Sequence, residues 1–143
     1  MLKNIPPLLG PELLFVLRAM GHGDEIVLAD ANFPAQFLGP RTVRADGIPV
    51  TDILDAILSV MPLDDFVEEA AISMAVVGDP TARPPIFGEF ESLLARHEPG
   101  KTLSTIERFA FYDRAKKATC VVQTGETRLY GNIILKKGVI RPA

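Results

Sequence analysis

Short apolar runs of three to seven residues, each cut off by proline, glycine or a polar residue, recur along the whole chain and alternate with stretches of helical periodicity. That alternation constrains the fold more than any other feature. A run too short for a helix yet apolar at consecutive positions reads as a strand buried on both faces, and such strands need helices packed on both sides of their sheet. Glu25 to Ala29, with β-branched Ile26 and Val27, is the clearest run. Thr42 to Ala45, Ala71 to Val77, Leu103 to Ile106, Thr119 to Gln123 and Ile133 to Leu135 are the others.

The intervening stretches read as helices. Pro11 suits a first helical position, and Leu13, Leu14, Leu17 and Met20 recur at helical spacing before Gly21, expected as the C-cap. Thr51 is the expected N-cap of a second helix carrying Ile53, Leu54, Ile57 and Leu58, ended by Pro62, Asp64 and Asp65. Pro84-Pro85 open a third through Phe87, Phe90, Leu93 and Leu94, stopped by Pro99-Gly100, and Phe109 to Lys117 form a short fourth. Asn32-Phe33-Pro34 reads as a loop. The last two strands lie only about ten residues apart, too close for a helical crossover, which predicts an antiparallel or irregular pair there. The expected architecture is α/β, with helices on both faces of the sheet.

The chain's 143 residues fit one domain, expected over 1–143, long enough to bury a core without staples. A single cysteine, Cys120, excludes an intrachain disulfide, and no CxxC or Cys/His cluster suggests a metal. Cys120 lies in an apolar run and is expected to be an inert buried thiol. No stretch reaches the roughly 18 apolar residues of a membrane helix. Prolines and Gly10 interrupt the N-terminal apolar run, unlike a secretory signal, so the expected location is cytoplasmic. The net charge of −3 argues against nucleic acid as a partner. It is unevenly spread: residues 1–107 hold seven basic and sixteen acidic residues, whereas residues 108–143 hold eight basic and two acidic. No GxxxxGK[ST], GxGxxG or GxSxG stretch occurs, so no nucleotide loop or nucleophile elbow is supported.

A few polar residues stand out. His22 sits between two glycines, where the first helix ends. Helix-end carbonyls favour an imidazolium, a workable general acid near neutral pH, though a histidine there can also be only a cap. His97, after Arg96 at the end of a helix, reads as such a cap. Asp30 ends the first strand, and ligands of open α/β sheets gather outside the carboxyl ends of strands. It could bind sugar hydroxyls, act as a base, or merely cap the amides around Asn32. Arg108 and Tyr112, four residues apart, share a helix face and offer a donor fork and a hydroxyl. Tyr130-Gly131-Asn132 precedes the last strand, with a glycine that suggests close backbone approach.

Met20-Gly21-His22-Gly23-Asp24-Glu25 followed by Asp30-Ala31-Asn32-Phe33-Pro34-Ala35 resembles the signature of the D-ribose pyranase / L-fucose mutarotase family. Arg108 to Ala115, Thr124-Gly125-Glu126 and Tyr130 to Val139 resemble its fucose mutarotase branch, and the likeness spans essentially the whole chain. Asn32 and Gln36 stand where some fucose mutarotases have histidine. The resemblance implies a three-layer α/β/α domain with a mixed, mostly parallel sheet. It also implies an isomerase that interconverts the α and β anomers of L-fucose without metal or coenzyme. D-ribose pyranase chemistry is the alternative, followed by a sugar-binding protein without turnover. His22 matches the family's proton donor, and Asp30, Arg108, Tyr130, Gly131 and Asn132 match its sugar-binding positions, with Tyr112 beside Arg108 as a further candidate. Asp30, Tyr130 or a water is left as the base. Bacterial members form rings, commonly decamers. An oligomer of that kind would also bury the apolar surplus behind a mean hydropathy of +0.21 and bring the acidic and basic regions together.

Overall fold

Ile26, Val27, Leu28 and Ala29 are wholly buried in the computed structural model, which describes residues 1–143. They lie in the first strand of the chain α1 (Pro11–Ala19), β1 (Glu25–Ala29), α2 (Ala35–Leu38), β2 (Arg41–Ala45), α3 (Val50–Leu58), β3 (Ala71–Met74), α4 (Pro85–His97), β4 (Ser104–Ile106), α5 (Arg108–Lys117), β5 (Cys120–Thr124) and β6 (Ile133–Lys136). The six strands form one sheet in the order β2-β5-β1-β6-β3-β4. Only β6 runs against its neighbours, antiparallel to both β1 and β3, while the other three pairings are parallel.

Alternation along β1 shows why both faces must be covered. Ile26 and Leu28 point into a core with Leu13 and Leu17 of α1, Ile53 and Ile57 of α3, and Phe87 and Phe90 of α4. Val27 and Ala29 point the other way, onto Leu38 of α2 and Phe111 and Ala115 of α5. Three helices on one face and two on the other make the three-layer α/β/α arrangement.

Several boundaries differ from the sequence expectation for identifiable reasons. Gly21 does not cap α1. The helix stops at Ala19 with Met20 extended, and the Lys137 ammonium donates to the free carbonyls of Leu17 and Met20 at 2.7 and 2.6 Å. The left-handed residue of that turn is Gly23, at φ +85°. Thr51 is already inside α3, which starts at Val50 after Pro49 and has no side-chain cap. That helix ends at Leu58, before Pro62. β3 ends at Met74, leaving Val77 exposed. A single helical turn, α2, follows the loop at Asn32-Phe33-Pro34. The last two strands do not pair with each other, because β1 lies between them. The reversal expected there is present, but β6 makes it against β1 and β3. The connection from β5 to β6 begins at Gly125, where a Cβ would stand 2.4 Å from the Gly47 backbone nitrogen.

Candidate active site

Parallel strands end where ligands of α/β folds collect. β1 ends at Ala29, just before Asp30, β3 ends at Met74, and β4 ends at Ile106, two residues before Arg108. Because β6 runs the other way, its beginning, not its end, lies at this edge. The strand reversal therefore sets Tyr130-Gly131-Asn132 beside Asp30. A cleft of about 220 Å³ opens here, lined by Asp30, Asn32, Arg108, Tyr112, Tyr130 and Asn132, with an apolar wall that includes Phe33, Met74, Val77 and Leu129. That is smaller than the roughly 300–1,000 Å³ of drug-sized sites and suits one small ring.

Asp30 is buried and doubly engaged with Asn132. Its backbone N–H donates to Asn132 Oδ1 at 2.8 Å, and Asn132 Nδ2 donates to Asp30 Oδ2 at 3.0 Å. The Asn32 N–H donates to Asp30 Oδ1 at 2.9 Å, so the carboxylate does hold this loop as well as face the cleft. Burial pushes the Asp30 carboxyl above its ordinary value, and these hydrogen bonds only partly offset the rise. Gln123, also buried, donates from Nε2 to the Asp30 carbonyl at 2.5 Å.

Arg108 stacks on the Phe109 ring at 4.7 Å, and its buried Nε has no hydrogen-bond partner within the chain. Tyr112 packs edge-on to Phe33 at 5.7 Å between ring centres. Tyr130 has φ +63°, a left-handed conformation that costs a bulky residue about 1–3 kcal/mol. Its hydroxyl accepts from the Val77 N–H at 3.1 Å, leaving its own proton free to donate. Gly131 is not part of the cleft wall. A Cβ there would lie 2.7 Å from Glu126 Cγ, so its close approach is to Glu126 beneath the loop.

His22 is elsewhere. It precedes β1, whereas Asp30 follows it, and five strand residues separate the two ends by about 16 Å. The helix-end carbonyls expected to face it are taken by Lys137. Instead, His22 Nε2 meets Asp64 Oδ1 at 3.0 Å, and its ring packs against Phe66 at 5.0 Å. Burial pushes the Asp64 carboxyl up, but the Phe66 N–H, His22 and the Lys136 charge together hold it below its ordinary value. An ionised carboxylate only accepts, so Nε2 carries the hydrogen in this contact. Lys101 donates to the Asp64 and Val67 carbonyls and fixes this loop. His97 does not cap its helix but joins α4 to α3 through Asp55 at 2.6 Å. Burial pushes the Cys120 thiol up to about 11, as expected of an inert core cysteine. No three His, Cys, Asp or Glu side chains converge to hold a metal ion.

Asp64, Gln123 and Glu126 escaped the sequence reading as site residues. Asp64 looked like a helix stop, and nothing local marks the other two except the Thr124-Gly125-Glu126 stretch.

Residues 3–140 match the model of the RbsD / FucU transport protein family. The chain belongs to this family. Among its relatives, the fucose mutarotase of Homo sapiens is 52% identical over 145 residues, covering 97% of this chain and 94% of that protein. The crystal structure of the fucose mutarotase of Streptococcus pneumoniae in complex with L-fucose superposes with a TM-score of 0.91 at 46% identity, covering 98% of this chain and all of that one. The RbsD of Bacillus subtilis complexed with D-ribose superposes at 0.76 with 25% identity, covering 99% of this chain and all of the other. Within the family, the chain thus sits much nearer the fucose mutarotases than this RbsD.

Proposed function

We propose that the chain is an isomerase that interconverts the α and β anomers of L-fucose. The carrying observation is the cleft: a buried carboxyl with a raised pKa, an unpartnered guanidinium nitrogen and two phenols opposite an apolar wall. Polar groups suit the ring hydroxyls, and the wall suits the methyl group of a 6-deoxy sugar. The likeness to fucose mutarotases over nearly the full chain supports the same substrate.

Ring opening removes the proton of the anomeric hydroxyl and places one on the ring oxygen as the bond from C1 to that oxygen breaks. The aldehyde turns about C1–C2, and reclosure reverses both transfers. Asp30 or a water accepts the first proton, directly or relayed through the Tyr130 hydroxyl, and Arg108 retains the open chain through its hydroxyls. Asn132 holds Asp30 in register. His22 serves as proton donor through Nδ1, with Asp64 orienting its ring. One such positioned acid contributes about 10²–10⁴-fold.

His22 cannot reach the cleft of its own chain, so the donor comes from a second copy. Exposed Phe66 packs on His22 and is covered by Arg141, beside exposed Ile140, and exposed Val77, Phe109 and Leu129 lie at or beside the cleft. Joining one copy's His22 end to the next copy's cleft would bury both sets. Such a head-to-tail contact closes into a ring when its rotation permits, and the decamer implied by resemblance is one such closed assembly. No helix is long and apolar enough to cross a membrane, and a single buried cysteine suits the reducing cytoplasm as the location.

Saturation transfer between the anomeric protons of L-fucose and, separately, between the ring forms of D-ribose tests the reading. Faster exchange for L-fucose supports it. Faster exchange for D-ribose alone would instead favour the pyranase reaction, and saturable fucose binding without faster exchange a binding protein.

A further inference from the structure

The Thr124-Gly125-Glu126 stretch lies outside the cleft wall, yet the loop that carries Tyr130 is built on it. Glu126 is a nearly buried carboxylate clasped by Arg128, whose Nε donates to Oε1 at 2.9 Å and Nη2 to Oε2 at 3.1 Å. The Arg128 backbone N–H adds a bond to Oε1 at 3.0 Å, and Nη1 reaches Glu89 on α4. Backbone ties anchor this clasp on both sides of Asp30. The Glu126 carbonyl accepts from the Ala31 N–H at 2.8 Å, while Thr124 Oγ1 donates to the Ala29 carbonyl at 2.7 Å and accepts from the Glu126 N–H at 3.2 Å. Two residues beyond Arg128 the chain turns left-handed at Tyr130. It then passes over Glu126 at Gly131, where no side chain would fit.

A tyrosine adopts a positive φ only where its surroundings over-determine it. Here the surroundings are the Glu89–Arg128–Glu126 bridge below the loop and the Val77 N–H at its hydroxyl. We infer that the Glu126–Arg128 clasp is a positioning device that presses the Tyr130 phenol into the cleft. Neither clasp residue lines the cleft. This inference rests on the reading of the cleft as the reaction site. A loosened phenol misplaced by about 1 Å is expected to cost ten- to a hundredfold in rate.

The test uses the intact oligomer and L-fucose exchange by saturation transfer. Glu126→Gln and Arg128→Lys are each expected to slow exchange by about tenfold or more, because one loses a charge and the other the fork. In a Tyr130→Phe background, already slowed, adding Glu126→Gln is expected to change the rate less than about twofold, since coupled residues are not additive. The chain has two tyrosines and no tryptophan, so 3-fluorotyrosine labelling yields two fluorine lines. Glu126→Gln should shift or broaden the Tyr130 line and leave that of Tyr112 in place. If Glu126→Gln does not fold, Arg128→Lys carries the same comparisons. Equal losses with and without the Tyr130 hydroxyl, or an unmoved Tyr130 line, would overturn the inference while leaving the cleft reading intact. Wild-type exchange in both Tyr130→Phe and Asp30→Asn would overturn the cleft reading itself, and the inference with it.

Discussion

The proposed division of the reaction site between the two ends of one strand predicts that two inactive variants rescue each other. His22→Ala removes the proposed donor but leaves the cleft, and Asp30→Asn damages the cleft but leaves the proposed donor. Each alone is expected to lose about 10²–10⁴-fold in exchange, or roughly 3–5 kcal/mol of transition-state stabilisation. Because β1 holds the two groups about 16 Å apart, the proposed shared site takes its cleft from one copy and its histidine from a neighbour. Random mixing of equal amounts makes half of all clefts intact and half of all neighbouring histidines intact, so about a quarter of the sites regain both. Co-expressing the variants with different tags, purifying particles that carry both, and measuring L-fucose exchange should give about a quarter of the wild-type rate. Mixed particles, verified by native mass spectrometry, that stay at the level of the separate variants would refute the shared site.

Phe87 is fully buried between α4 and the sheet, and Phe87→Ala should cost about 3–5 kcal/mol, read as a lowered urea midpoint. A Cβ at Gly138 would stand 2.3 Å from the Leu63 carbonyl oxygen, which is backbone and cannot yield, so Gly138→Ala should lower the melting temperature sharply in circular dichroism. The Asp64 carboxyl is held below its ordinary value of 3.8, so its stabilisation is complete above about pH 4 and fades as pH falls through the lower folded value. Asp64→Asn should therefore flatten the acid limb of melting temperature against pH between about 2 and 5, and an unchanged limb would show that the carboxylate contributes nothing there.

The layers were legible because burial on both faces leaves a direct mark in sequence. Ile26 to Ala29 and Cys120 to Val122 have no polar position at all, and a sheet so made must be sandwiched. Helix ends were less legible because distant partners decide them. Gly21 looked like the stop of α1, but the carbonyls it was expected to cap are satisfied by Lys137, more than a hundred residues later. The turn of α2 was invisible because four residues are too few to show a period.

The site was legible where chemistry and motif coincide and hidden where only chain direction decides. Asp30, Arg108, Tyr112, Tyr130 and Asn132 stood out by residue type, and they converge. What brings them together is the antiparallel course of β6. Had β6 run parallel to β1, Tyr130 and Asn132 would lie at the Glu25 end, beside His22 and Asp64. Asp30 would then have lost the amide that pairs with it. The same reversal separates His22 from Tyr130 and Asn132, and the length of β1 separates it from Asp30. A signature that places histidine and aspartate eight residues apart looks like one compact site in sequence. Laid along a strand, it becomes two half-sites facing opposite ways. With the roles proposed for His22 and Asp30, the chemistry is completed when a second copy brings its His22 end to the cleft.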